Sequence, residues 1–508
     1  MLVDNQKDFS AFSVVEKIES IKQGMATFLC DRLNKHRGFN ARSFYGETFG
    51  IAFLHFAEKL NNSLKFILLE SFEKIDRMNP EFHWEFNLYA MLHVRKHLHH
   101  PIIERFFNDR KFKGTMCTNW QLLRYNVEVR LGEPVNNIID KVEDLLSKMQ
   151  SPSGSILDQE KERSFTYHCF SMSMLAEIAN AISSERLWKY FFKGLAFIRS
   201  FILRNGDTLY IGRGQQQLFG YASLIYLLSI AYNKTGDSNI YSDLNRVIDF
   251  VKSFQRRDFS FPLVLRKEEG PIPKCIDLSD KKYLGWYAYN NYFDYFCFMG
   301  LMLYKAGLIL KNSSNILSII PPRKVYFQDD YFVRKTLFDY DCVFSKSEGS
   351  WSNSLFIPYI CFRGKSVFPC YGGEQYVKSL YSLQSLPVPY HQRSTLSLRQ
   401  KSRSWINERG ITLLSPLGMM RRNFFLHPDH LEIQSKIFTP LRMVQPFFFR
   451  KALHKRNSNT WENADFVFKS NAPLEIHPNG FSPSGSLYGF ASNSSNLNIK
   501  MYFKKNET

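Results

Sequence analysis

The sequence predicts an α+β chain of two segregated domains, helical hairpins first and antiparallel strands afterwards. Three observations carry this reading. Up to about residue 315, apolar residues recur at helical spacing, as in Phe170, Met174, Leu175 and Ile178. Past the Ile319-Ile320-Pro321-Pro322 punctuation the texture turns to short alternating or aromatic runs. Examples are Lys324–Phe327, Cys342–Phe344, Leu355–Phe362, Leu431–Ile437 and Leu497–Phe503, set apart by Gly, Pro, Asn and Ser. Helices followed by strands, with no alternation, argue against βαβ units and place a boundary near residue 320, hence domains 1–320 and 321–508.

Within the helical part, six clusters of aromatic, amide or charged residues open successive helices. They are Phe44-Tyr45-Gly46-Glu47, His83-Trp84-Glu85-Phe86-Asn87, Thr118-Asn119-Trp120, Phe165-Thr166-Tyr167-His168, Gly212-Arg213-Gly214-Gln215-Gln216 and Gly285 to Asn291. Their spacing of about 35 to 48 residues, with one longer gap before the last, is that of a two-helix repeat. If the hairpins curl into a ring, the inner-helix N-termini converge on one end, where their partial positive charge favours an anionic ligand. A solenoid would spread the same clusters along a concave face. Either arrangement lines a groove with rings and hydrogen-bonding groups, which suits an extended polymer.

The 508 residues are ample for two or three domains, and 44% apolar against 22% charged residues excludes a disordered or collagen-like chain. Lys and Arg outnumber Asp and Glu by 66 to 47, and the resulting charge of +19 attracts polyanions. Nucleic acid is not the expected partner, because no basic–aromatic RNA-binding motif accompanies that charge. The first twenty residues carry no export signal, and the longest apolar run, Leu218 to Tyr232, is broken by Gly220 and Ser223. No membrane span and a cytoplasmic location are therefore the expectations. The eight cysteines form no CxxC pair and read as buried free thiols.

Two stretches resemble the (α/α)-toroid polysaccharide lyases, a group with a following β-sandwich that includes chondroitin AC and hyaluronate lyases, alginate lyases and heparinase II/III-like enzymes. Asn119-Trp120 with Arg130-Leu131-Gly132-Glu133-Pro134 is similar to the Asn-Trp segment of the hyaluronate and chondroitin lyases. Asp158, Glu162-Arg163-Ser164 and Tyr167-His168 are similar to the heparinase pattern of an acid, Glu-x-Ser and Tyr-His. Glu177 departs from the first pattern, which has a Tyr in that region, and no His-x-His-x-Asp element stands in the strand-rich half. The resemblance implies an incomplete barrel of helical hairpins roofed by a β-sandwich. It also implies an acidic polysaccharide or oligosaccharide as substrate, without metal or organic cofactor, and an exported location, against the sequence's own indication.

It further implies β-elimination at a uronic acid. The C5 proton beside the sugar carboxylate is removed and the C4 oxygen leaves. A neutral amide or cation must then stabilise the enolate-like charge, a task worth about 3–4 kcal/mol per donor. Asn119 takes that role by family match, Tyr167 the proton work, His168 the partner base and Arg213 the cation that helps a phenol of pKa ~10 to ionise. Trp84, Trp120, Trp286 and Tyr289 are candidate sugar platforms, and Glu85, Gln216 and Asn290 candidate hydrogen-bonding partners. Each has a plainer alternative. Asn119 can cap a helix, Tyr167 and the tryptophans can be core, His168 can be a packed histidine, Arg213 a turn residue, and Glu85 a bond between hairpins. Zinc on His93, His97, His99 and His100 is disfavoured, since no His-Glu-x-x-His carboxylate accompanies them.

Overall fold

The computed structural model describes residues 13–80, 82–265, 291–311, 320–321, 324–346, 357–369, 387–394, 396–399, 401–482 and 485–504. These fall into two compact units, one of residues 13–209, 216–265 and 291–321, the other of 210–215 and 324–504.

The first unit is a helical toroid. Its outer helices are α1 (Val14–His36), α3 (Asn62–Glu73), α5 (Pro101–Asn108), α7 (Val135–Met149), α9 (Glu185–Arg199) and α11 (Ser238–Lys252). They alternate with inner helices α2 (Gly46–Phe56), α4 (Trp84–Val94), α6 (Thr118–Arg130), α8 (Phe165–Ala181), α10 (Leu218–Thr235) and α12 (Tyr292–Lys311). The two sets differ in pattern. Outer α7 buries one stripe, Ile138, Val142, Leu145 and Leu146, as an amphipathic surface helix does. Inner α10 is buried on every side from Leu218 to Leu228, which an all-round apolar helix requires. Helix α12 is long and apolar enough to cross a membrane by length and composition, but 78% of its apolar window is buried in this core.

Each inner helix packs on the next, and α12 packs on α2. The ring therefore closes, where an incomplete barrel was the expectation. The closure has a chemical staple. Asp294, in the first turn of α12, accepts the backbone N–H groups of Phe44, Tyr45 and Gly46 at 3.0, 3.0 and 2.7 Å. Those donors belong to the N-terminus of α2, which has no side-chain cap of its own. A second staple joins α2 to α4: Asn87 donates to the carbonyl of Phe44 at 2.9 Å and accepts from Thr48 at 2.8 Å.

The α2–α12 seam is also close. A Cβ on Gly300 would lie 2.4–2.6 Å from three ring atoms of Phe53. Gly300→Ala is expected to cost about 1–3 kcal/mol, the usual range for overpacking, read as a lower midpoint in urea unfolding.

The second unit holds three antiparallel sheets. The first runs in chain order through β1 (Tyr326–Gln328), β2 (Phe332–Leu337), β3 (Tyr340–Ser345), β4 (Tyr359–Phe362) and β5 (Lys365–Ser366). Next come β6 (Tyr390–His391), the meander β7 (Arg403–Ile406), β8 (Gly410–Ser415), β9 (Gly418–Leu426) and β10 (His430–Phe438), and β11 (Met443–Phe449). They are followed by β12 (His454–Asn457), β13 (Thr460–Glu462), β14 (Phe466–Ser470), β15 (Glu475–Ser482), β16 (Gly485–Ser492) and β17 (Asn496–Phe503). The eight-stranded order is β12-β13-β14-β17-β10-β9-β8-β7, and the third sheet runs β15-β16-β11-β6. Phe344, Phe424, Ile433, Phe447, Phe468 and Phe490 draw all three sheets into one core, so the unit is a β-sandwich.

Candidate functional site

The toroid axis is filled by phenylalanines from five inner helices. Phe86 stacks on Phe170 at 5.4 Å, Phe170 meets Phe219 at 4.8 Å, Phe219 meets Phe298 at 4.4 Å, and Phe298 meets Phe49 at 5.4 Å. This layer divides the interior.

Toward the C-terminal ends of the helices lies a buried polar network centred on Glu177. It accepts from Tyr89 at 2.8 Å, from Asn126 at 2.8 Å and from Arg130 at 2.8 Å, and it pairs with Lys305. Burial opposes the charge on Glu177, but Lys305 and Arg130 prevail and hold its carboxyl well below the usual range. Lys305 is pushed down to about 8 by burial. The network is internally satisfied and joins α4, α6, α8 and α12, so it reads as the floor of the barrel.

Toward the N-terminal ends the layer carries an aromatic cup. Tyr45 stacks on Phe86 at 4.7 Å and on His83 at 5.6 Å, and His83 meets Trp120 edge-on at 4.5 Å. Trp120 rests on Phe86 at 5.3 Å with Lys113 Nζ 5.4 Å from its ring centroid. Tyr167 and Tyr295 contact Phe219 at 6.2 and 5.6 Å. Trp120, Tyr167 and His83 are the partly exposed members.

His83 has the most unusual environment. Burial and the neighbouring Lys113 charge lower its pKa to about 3, so the ring is neutral at any working pH, and its Nδ1 is buried without a hydrogen-bond partner. Lys113 is positioned by Glu85, whose Oε1 accepts the Lys113 backbone N–H at 2.8 Å and an Arg124 N–H at 2.9 Å.

The structure places the sequence candidates unevenly. Trp120 and Tyr167 belong to the cup. Asn119 lies beside Trp120, buried, with its amide donating to Asp158 at 2.6 Å; the N-cap position is Cys117, so Asn119 is not the cap. His168 is corrected. It is buried, its Nδ1 accepts the Ile156 N–H at 3.0 Å and its Nε2 lies 3.2 Å from the Gly194 carbonyl, so both ring nitrogens are committed to structure.

Trp84 is also core, stacked on Phe106 of α5 at 5.1 Å, and is no sugar platform. Glu85 is fully buried in the ion pair just described, out of reach of a substrate. Gln216 is buried at a turn with φ 57° and donates to Asp207 at 2.6 Å, a structural role. Arg213 falls with Tyr210–Gln215 in the second unit, where Tyr210 stacks on Tyr359 at 4.3 Å. Trp286, Tyr289 and Asn290 lie outside the described residues.

His93 is tied to Lys305 Nζ at 3.1 Å and to the Tyr89 carbonyl, which removes it from the four-histidine grouping. Among the described residues, one triple has ligand atoms within 4.8 Å of one another: His427, His430 and Glu432 on the β9–β10 hairpin.

No protein-family model and no curated protein matches the sequence. Solved structures do. A heparinase III is similar over 90% of this chain and 77% of its own, with TM-score 0.50 and 11% identity. A variant of the Streptomyces coelicolor A3 chondroitin AC lyase is similar over 98% of this chain and 83% of its own, with TM-score 0.50 and 8% identity. A family 88 glycosyl hydrolase from Bacteroides vulgatus matches more loosely, with TM-score 0.40 and 11% identity over 58% of this chain and 99% of its own. At these identities the likeness is one of fold: the chain is built as a helical toroid with a following β domain, as the two lyases are.

Proposed function

We propose that the protein is a polysaccharide lyase that cleaves a uronate-containing chain by β-elimination at the aromatic cup. The observation that carries the reading is the presence in one cup of a partly exposed phenol, Tyr167, and a neutral imidazole, His83. Tilted ring contacts run between them, His83 to Phe86 at 5.8 Å, Phe86 to Phe219 at 6.0 Å and Phe219 to Tyr167 at 6.2 Å. In this reading Tyr167 delivers a proton to the C4 oxygen and His83 takes the base position that sequence reasoning gave to His168. Trp120 is the platform for the sugar ring. Lys113, in place of Arg213, faces the uronate carboxylate, and the Asn119 amide, oriented by Asp158, supports the charge that develops there.

A uronate seated beside Lys113 would cancel one of the two influences that depress His83, which raises the imidazole's basicity once substrate is bound.

Hydrolysis on the same toroid would need two carboxyl groups free to serve as acid and base. Five carboxyls at this end of the ring each have at least one oxygen engaged. Glu47 bonds Ser43, Glu85 bonds Arg124, Asp158 bonds Asn119, Asp207 bonds Gln216 and Tyr221, and Asp294 caps α2. That pattern favours elimination. The deciding experiment supplies alginate, hyaluronate, chondroitin sulfate and heparin and follows ultraviolet absorbance of the unsaturated product. A rise with at least one polymer is expected; reducing ends released with no rise in absorbance would mean hydrolysis instead.

A further inference from the structure

We infer that the outer face of the eight-stranded sheet is a separate binding surface for the acidic polysaccharide, an inference that rests on the lyase reading for its choice of ligand. One face of this sheet is core, through Phe424, Leu431, Ile433, Phe468, Ile499 and Met501. The alternate residues face outward, and their pairing is unusual. Arg421 on β9 lies directly opposite Lys436 on β10, and Lys469 on β14 directly opposite Lys500 on β17. Like charges in directly opposed positions, with Cβ atoms about 5 Å apart, destabilise a sheet.

Little offsets that cost within the protein. Glu432 stands opposite Lys500 and is held by Gln434 and Asn498. Arg421, Lys436 and Lys469 make no ion pair among the described residues.

The two cationic pairs are arranged along one line of travel. Lys436 is opposite Asn496 and Lys469 is opposite Lys500, so four residues of β17, about 13 Å, separate the pairs. Between them runs an amide row, Asn423, Gln434 and Asn498, in register across β9, β10 and β17. Aromatic surface flanks it: Trp405 on the edge strand is 47% exposed, and Tyr502 lies under Lys469, 5.3 Å from its Nζ. Spaced cations with amides and flat rings between them match a polymer that presents a regular series of acid groups among hydroxyls and apolar ring faces.

The test measures equilibrium binding of long alginate, hyaluronate, chondroitin sulfate and heparin to the full chain and to the triple variant Arg421→Gln/Lys436→Gln/Lys469→Gln. At least one polymer should bind the parent and bind the variant tenfold or more weakly, with a shallower dependence on salt. The unfolding midpoint should be unchanged or higher, because the like-charge repulsion is relieved. Turnover of a tetrasaccharide should stay within twofold. Equal affinity in the two proteins, no polymer bound by the parent, or single-stranded DNA bound more tightly than every polysaccharide would each overturn the inference. Weakened binding in the variant with no elimination by either protein supports the surface and removes the lyase reading; elimination with unchanged polymer affinity does the reverse.

Discussion

Tyr167→Phe is expected to lower kcat on the responsive polysaccharide by about 10²–10⁴-fold, the range for loss of a positioned acid–base group. KM should change little, since the ring and its contact with Phe219 remain. His83→Ala should lose a comparable factor. Because the two groups would act on one proton inventory, the double variant should fall hardly further than the worse single one. Tyr167 is partly exposed, so Tyr167→Phe should keep the parent's unfolding midpoint. His168→Ala is the contrast: it leaves the buried Ile156 N–H without its acceptor and opens a cavity against Phe197, so it should lose about 2–4 kcal/mol of stability. Tyr167→Phe retaining activity within threefold would remove the proton role, and the site assignment with it.

The contrast between Tyr167 and His168 also shows where sequence reading stops. The toroid was legible because inner helices buried on all sides and outer helices with one apolar stripe leave different periodicities, and because each inner helix opens on a polar or aromatic cluster. Direction within a cluster was not legible. Neighbours on a helix point about 100° apart, so of His83, Trp84 and Glu85 one reaches the cup, one packs outward on Phe106 of α5, and one turns sideways to Arg124. Every residue in the cluster has chemistry to offer, and spacing alone cannot say which faces inward. His83 was passed over for that reason, with the tryptophan beside it taken as the platform. The closure of the ring was hidden differently. Asp294 lies about 250 positions along the chain from the backbone groups it caps, and no local pattern announces a cap supplied from so far away.

That same cap sets the second large expectation, a gain in stability on Glu47→Gln that appears only as pH rises. Ser43 Oγ lies 2.8 Å from Glu47 Oε2 and 2.7 Å from Asp294 Oδ1, but a hydroxyl has one proton to donate. Asp294, with three backbone N–H donors, is the better-supported anion, so Glu47 must carry a proton and donate it to Ser43, which donates onward to Asp294. The electrostatics agree. Burial, then the Asp294 charge, push Glu47 up to about 7, while burial against the opposing pull of the backbone donors leaves Asp294 at about 6.

Both groups hold protons in the folded chain that the unfolded chain releases nearer pH 4. Their contribution is therefore fully present below the unfolded values and declines as pH rises from about 4 to about 7, against the opposite contribution of His83, His93 and His168, which burial keeps neutral and which favour the folded chain increasingly as pH rises toward 6.5. At 1.36 kcal/mol per pH unit Glu47 alone accounts for about 3 kcal/mol of that decline. Glu47→Gln keeps a donor toward Ser43 and cannot ionise. It should match the parent at pH 5 and exceed it at pH 8 by about 2–3 kcal/mol in urea unfolding. Asp294→Asn, which weakens the acceptor for three helix N–H groups, should be less stable than the parent at both values. A Glu47→Gln variant whose difference from the parent is the same at pH 5 and at pH 8 would mean that the proton does not sit between these carboxyls and that the ring is closed by packing at Gly300 and Phe53 alone.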